Sequence, residues 1–285
     1  MRILITGAAG MLGRDVDAAT RAAGHESIAL ARGAVDVTDP SAVAGAVADA
    51  RPDVVVNCAA WTDVDGAESE ETQSRAVNGA GAGHVAAAAA AAGAWTIHVS
   101  SDYVFDGAAR RPYLESDPVG PLSAYGRSKL EGERTVAAHA PGAHTIVRSA
   151  WLFGAHGHCF PRTMLRLAAE RDELTIVDDQ IGSPTFTGHL AAALVSLAAR
   201  CDDRPVGILH VAADEECSWC EFARAIIASG AEARVAVRPI ASGEYPTPAP
   251  RPAYSVLRSE RDAPVLPSWR EGLAAFLAER AEVVA

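Results

Sequence analysis

The sequence predicts an α/β fold: a doubly wound parallel sheet with a smaller C-terminal lobe. Three observations predict it. The run at residues 53–59 is continuously apolar, the pattern of a strand buried on both faces, and runs such as 95–100 continue the strand series. Segments of helical spacing separate these runs. The first run ends in a glycine-rich turn that opens directly into a helix.

Taken in order, Arg2–Thr6 is the first strand, and apolar spacing through Leu12, Val16 and Ala19 marks the first helix. Residues 27–30 form the second strand, 41–51 a helix and 53–59 the third strand. Residues 85–95 are mostly alanine, too short to span a bilayer, and read as a packed helix. Residues 95–100 and 145–148 continue the strand series. The rhythm then changes: 154–157 is a loop, 160–171 a helix, 174–177 a short strand, 208–211 a further sheet strand and 221–229 a helix. The proline-rich stretch 238–267 reads as extended and looped, before a last helix near 269–282. The expected division is a dinucleotide-binding domain of residues 1–150 plus about 186–212. About 151–185 and 213–285 would form the substrate-binding lobe.

With 285 residues, 49% hydrophobic and 21% charged, the chain can bury a sizeable core. Its formal charge of −11 argues against nucleic acid or an anionic membrane as the main partner. The first seven residues lack the apolar length of a signal peptide, so a cytoplasmic protein is expected. Five cysteines, odd in number and unevenly spaced, make a poor disulfide framework. Of 25 basic residues only Lys129 is lysine. A chain that uses arginine for every other positive charge marks Lys129 as a candidate for chemistry a guanidinium cannot perform.

Gly7-x-x-Gly10-x-x-Gly13 sits between the first strand and first helix, where glycines let the backbone approach a pyrophosphate held at the helix N-terminus. The second strand ends in Ala31-Arg32 rather than in an acidic ribose ligand. An arginine there can meet a 2′-phosphate, so NADPH is expected, with NADH left open. Asp36 and Val37 are placed to line the adenine. Tyr125-x-x-x-Lys129 puts a phenol and the one ammonium on the same helix face. The lysine charge is expected to favour phenolate and bring Tyr125 into use near neutrality, with Ser101 orienting a carbonyl oxygen.

These motifs resemble the extended short-chain dehydrogenase/reductases, a family with a Rossmann-type fold. Longer stretches, at 57–65, 100–107, 178–185 and 245–252, narrow the resemblance to the dTDP-4-dehydrorhamnose reductases over nearly the whole chain. The resemblance implies NAD(P)H-dependent reduction of the 4-keto group of a dTDP-4-keto-6-deoxy sugar. By position it makes Tyr125 the proton donor, Lys129 its partner and ribose ligand, and Ser101 the carbonyl-orienting hydroxyl. Gly10, Met11, Leu12, Ala59, Ala60, Trp61, Thr62 and Val99 would line the cofactor, and Asp102 and Trp151 would hold the sugar. Some members form a Mg²⁺-bridged dimer. Asp15 can fill one acidic position of that bridge, but Gly188-His189 stands where another carboxylate is expected, so no metal ligands are carried over and a homodimer stays open. The resemblance extends to ketoreductases for other dTDP-deoxysugars and to a non-catalytic relative that regulates methionine adenosyltransferase. Intact Tyr125, Lys129 and Ser101 argue against the latter.

Four other features are read as structural. Cys217-Ser218-Trp219-Cys220 opens a helix without a second cysteine pair. His156-Gly157-His158-Cys159 crowds its donors too closely for a tetrahedral site without a distant fourth ligand. Glu68, Glu70 and Glu71 sit near a helix start and serve its dipole. Arg110-Arg111 belongs to a solvated loop.

Overall fold

The structure, a computed structural model, describes residues 1–229 and 235–284. Its spine is a six-stranded parallel sheet of β1 (Arg2–Thr6), β2 (Glu26–Leu30), β3 (Val54–Asn57), β4 (Trp95–Ser101), β5 (His144–Ser149) and β10 (Gly207–His210). The spatial order is β2-β1-β3-β4-β5-β10. The chain runs outward from β1 to β2 and then returns to build on the other side of β1. The carboxyl ends of β1 and β3 therefore frame the crevice where such sheets bind ligands.

Alternation along each strand feeds two cores. Ile3 and Ile5 pack with Val54 and Val56 beneath α1 (Met11–Ala22) and α8 (Thr187–Ala199). Leu4 and Val55 face the opposite layer, α2 (Pro40–Ala50) and α5 (Ala82–Ala91). Between β3 and α5 lie α3 (Gly66–Ser69), α4 (Glu71–Arg75) and a π-helical turn at Ala76–Gly81. Between β4 and β5 runs α6 (Ala124–His139).

The second lobe contains β6 (Leu152–Phe153), α7 (Phe160–Glu170), β7 (Glu173–Val177), β8 (Ile181–Gly182), β9 (Thr185–Phe186), β11 (Cys217–Ser218), α9 (Trp219–Ala228), β12 (Ala236–Ile240) and α10 (Trp269–Val284). It has its own aromatic core, with Phe153, Phe186, Phe222, Trp269 and Phe276 all buried.

Several expectations shift for local reasons. The helix expected at 85–95 stops at Ala91, because Gly93 turns the chain through a φ of 71° and Trp95 opens β4. The third strand ends at Asn57, where the chain bends away over the Gly7 turn. The stretch 238–267 is not wholly looped: its start belongs to β12, which pairs in parallel with β7. Helix α8 carries no amphipathic stripe to read, since it is buried on most sides between α1 and the sheet. Among the described residues, no helix is long and apolar enough to cross a membrane.

Candidate active site

Where β1 ends, Gly7 adopts a φ of 67°. A Cβ on Gly13 would lie 2.3 Å from the Gly7 carbonyl oxygen, so α1 can start this close to the turn only with glycine there. No side chain caps the first amides of α1 at its N-cap, Gly10, which leaves them available to an anion. This cradle, too tight for a Cβ and with an uncapped helix start, fits a dinucleotide pyrophosphate.

The cradle opens onto a cleft of about 730 Å³, the size of a small-ligand site. The cleft collects the residues expected from the sequence. Gly7, Gly10, Met11, Leu12 and Gly13 line the turn, and Arg32, Asp36 and Val37 lie beyond β2. Ala59, Ala60, Trp61 and Thr62 follow β3, and Val99, Ser101 and Asp102 lie at the end of β4. Tyr125 and Lys129 come from α6, and Trp151 follows β5. Arg32 is largely exposed, with Nε 3.7 Å from Asp36 Oδ2, a loose pair that leaves the guanidinium free to turn.

Two buried asparagines fix the segment after β3. Asn57 Oδ1 accepts from the Thr6 hydroxyl at 2.7 Å and the Ala59 amide at 3.1 Å. Asn78, in the π-helical turn, accepts from the Trp61 amide at 2.8 Å and donates to the Trp61 carbonyl at 3.1 Å. Such turns recur at functional sites because they re-aim one side chain within a helix.

Helix α6 forms the opposite wall. Ser123 caps it by accepting from the Gly126 amide at 3.1 Å, and Glu68 accepts from the Ala124 amide at 2.7 Å. Glu71 pairs with Arg127 at 2.9 Å. Two of the acidic side chains read as serving their own helix thus also dock α6. A Cβ on Gly126 would meet the Tyr103 carbonyl oxygen at 2.2 Å, so glycine after Tyr125 lets the helix press against the turn following β4.

Tyr125 is half-buried and open to the cleft on one side. Its ring meets Tyr103 edge-on at 5.5 Å. Burial pushes its phenol up to about 12, the Asp102 charge adds to that, and the Ser101 hydroxyl opposes it. Here the structure corrects the sequence reading. Lys129 does not draw Tyr125 toward neutrality: the ammonium donates to the Val99 carbonyl at 2.7 Å and is not among the groups moving the phenol. Tyr125 is a protonated acid throughout the neutral range.

Ser101 donates to Asp102 Oδ1 at 2.9 Å. Asp102 Oδ2 is buried without a hydrogen-bond partner, and the Ser255 hydroxyl favours the carboxylate from a position short of hydrogen-bond geometry. Burial outweighs these influences and pushes Asp102 up to about 6. The folded state therefore binds more protons than the unfolded one between 3.8 and about 6, and stability is lost as pH rises through that window. Above it the ionised carboxylate costs about 3 kcal/mol. Asp102→Asn, which keeps the shape but not the charge, is expected to gain on the wild type by about that amount between pH 4 and pH 8. Thermal melts across this range test it, and a pH-independent difference between the two proteins would contradict it.

Sequence reasoning missed other cleft residues: Tyr103, His158 and Trp219. Trp219 stacks on Trp151 with centroids 3.5 Å apart and 4° between the planes. Trp151 holds a φ of 47°, a strained backbone for so large a residue. The signal for Trp219 is its place at a helix start, between Cys217 and Cys220, which are buried and free. Two motif stretches meet in space, since Asp65 pairs with Arg251 at 2.7 Å. His156 Nε2 lies 3.8 Å from Asp15 Oδ1, and His189 packs edge-on against Phe186. Among the described residues, no group of three or more His, Cys, Asp or Glu could hold a metal.

Comparison with known proteins follows the same lines. The profile of the RmlD substrate binding domain matches residues 1–282. A Streptomyces griseus protein named dTDP-4-dehydrorhamnose reductase is 46% identical over 262 residues, 91% of this chain and 86% of that one. A Streptomyces niveus protein named dTDP-4-keto-6-deoxy-D-glucose reductase is 41% identical, over 95% of this chain and 90% of its own. The crystal structure of Bacillus anthracis dTDP-4-dehydrorhamnose reductase in complex with NADP superposes with a TM-score of 0.92 at 36% identity, covering 98% of this chain and 99% of that one. Cradle, cleft, sheet order and likeness agree: the chain belongs to the dTDP-4-dehydrorhamnose reductase family, within the short-chain dehydrogenase/reductase fold.

Proposed function

We propose that this protein reduces the C4 ketone of dTDP-6-deoxy-L-lyxo-4-hexulose to the alcohol of dTDP-L-rhamnose, using NADPH. The observation that carries the reading is the convergence of Tyr125, Lys129 and Ser101 on the cleft that also holds the glycine cradle. A nicotinamide held in this cleft would supply the hydride for C4. The chain's own groups manage the oxygen. Tyr125, protonated at neutral pH, gives its hydroxyl proton to O4 as negative charge develops there, and the Ser101 hydroxyl, turned from Asp102 to that oxygen, donates a second hydrogen bond to it. Lys129 takes the cofactor's ribose hydroxyls, and Asp102 and Trp151 hold the sugar. Gly7, Gly10, Met11, Leu12 and Gly13 would face the pyrophosphate, while Asp36 and Val37 would line the adenine. Ala59, Ala60, Trp61, Thr62 and Val99 complete the cofactor wall.

Residues 1–150 with about 186–212 form the cofactor half of this assignment, and about 151–185 with 213–285 the sugar half. The separate aromatic core of the second half supports the division. The reaction belongs in the cytoplasm, where reduced cofactor is available.

A second reading, reduction of another dTDP-4-keto-6-deoxy sugar, is favoured by the relative named for dTDP-4-keto-6-deoxy-D-glucose. The test is oxidation of the reduced nicotinamide, followed by absorbance, with each keto sugar offered in turn. Turnover confined to the other sugar would replace the first reading.

Arg32 makes the cofactor choice testable in the same assay. Hydrogen bonds to a charged group are worth about 1.5–3 kcal/mol, so Arg32→Ala should lower the NADPH-to-NADH ratio of kcat/KM about tenfold or more. An unchanged ratio would leave Arg32 an ordinary surface side chain.

A further inference from the structure

Trp219 has no part in the proposed reaction, yet it holds the residue assigned to the sugar. Trp151 keeps a φ of 47°, and such a backbone persists in a bulky residue only where its surroundings fix it. Three contacts do so. The Trp151 carbonyl accepts from the Thr185 amide at 3.2 Å, where β6 and β9 begin to pair. The nitrogen-bearing edge of its indole abuts Gly182, where a Cβ would lie 2.3 Å from Cε2. One face of the ring lies flat on Trp219, with centroids 3.5 Å apart and 4° between the planes.

The second and third contacts come from one piece of structure. β8 and β11 pair antiparallel, Gly182 opposite Cys217 and Ile181 opposite Ser218, and Trp219 is the next residue. Ser218 starts α9 with a reciprocal cap: its hydroxyl accepts from the Glu221 amide at 3.0 Å, and the Glu221 carboxylate accepts from the Ser218 amide at 2.9 Å. Behind Trp219 stands Phe160 of α7, 4.6 Å away between centroids and tilted by 52°, and with it the aromatic core of the second lobe.

Trp151 packs instead on the cluster of Val104, Phe105 and Leu130, the last of these on the helix that carries Tyr125 and Lys129. The two indoles meet where the two clusters come together, and both line the cleft. Free aromatic rings prefer offset or edge-on arrangements to a full sandwich. A pair this parallel, with strained backbone on one side and a capped helix start on the other, is imposed by the framework.

We propose that Trp219 is a positioning residue for the sugar: backed by Phe160 and fixed by the β8–β11 pairing, it clamps Trp151 so that the indole offers the hexose a preset flat surface.

The inference rests on the assignment of Trp151 to the sugar and deepens it. A pyranose lays its C–H face on an aromatic ring, so the plane of that ring sets the tilt of the sugar and the place of C4 relative to Tyr125 and Ser101. An indole free to turn would have to be ordered at every binding event, at the expense of affinity and alignment.

The test separates a flat clamp from core filling. Trp219→Phe keeps a planar ring, Trp219→Leu keeps apolar bulk against Phe160 without one, and Trp219→Met is a second non-planar variant that adapts to the same space. Binding of dTDP-L-rhamnose is measured by calorimetry on the whole chain without cofactor, so turnover does not enter, and NADPH is titrated separately. Each folded non-planar variant should bind the nucleotide sugar about five- to tenfold more weakly with NADPH affinity unchanged, while the Phe variant stays within about twofold of the wild type. Stacked indoles also give the wild type an exciton couplet in circular dichroism, which every variant should lose. Equal sugar affinities in the planar and non-planar variants would overturn the proposal and leave Trp219 a core residue, and so would a wild type without the couplet. A wild type that shows the couplet but binds no dTDP-L-rhamnose would instead overturn the sugar assignment of Trp151, and the inference with it.

Discussion

Tyr125→Phe is expected to lower kcat about 10²–10⁴-fold while the protein still folds and binds NADPH. The substitution deletes one oxygen. Its ring keeps the edge-on contact with Tyr103, and Gly126 still lets α6 sit against the turn after β4. What disappears is the protonated phenol that α6 presents to the cleft beside Ser101. Water is a poor substitute, since a developing alkoxide needs a donor already positioned. Ser101 is the one polar side chain that favours the ionised phenol, so stability should change by only about 1 kcal/mol. Steady-state kinetics with a parallel cofactor titration checks this. A kcat within tenfold of the wild type would remove Tyr125 from the role of donor.

Lys129→Arg should be nearly as damaging, by about 10²-fold or more, for a different reason. The ammonium is 2% exposed and spends one hydrogen on Val99. A guanidinium is larger, planar and fixed in its donor directions, so it cannot point one donor at Val99 and others toward ribose from the same slot. The helix itself should persist, since both residues favour it. Near-normal turnover in this variant would show that any buried positive charge suffices, and the argument from the lone lysine would fail.

How much of this was legible beforehand differs from residue to residue. The glycine turn, the Tyr125–Lys129 spacing and the run ending at Ser101 are local patterns, and local patterns survive in a linear reading. Their meeting in one cleft follows from the sheet order, which alternating strands and helices already implied. The rest depends on contacts distant in sequence. Asp65 finds Arg251 and Asn78 finds Trp61, and no spacing rule announces either pair. Trp219 reaches the cleft because β11 pairs with β8, carrying the start of α9 toward Trp151. The state of Tyr125 was misjudged because a shared helix face does not decide which partner the lysine chooses. Here the Val99 carbonyl wins it. Helix α8 leaves no stripe in the sequence, because burial on most sides erases the pattern that reveals a surface helix.

The central claim concerns a specific ketone, and the product decides it. The protein should be incubated with NADPH and enzymatically generated dTDP-6-deoxy-L-lyxo-4-hexulose, and the product identified by NMR. The account predicts that each cofactor oxidised yields one dTDP-L-rhamnose, with hydrogen delivered to C4. A C4 epimer, or cofactor left unconsumed while it binds, would contradict it.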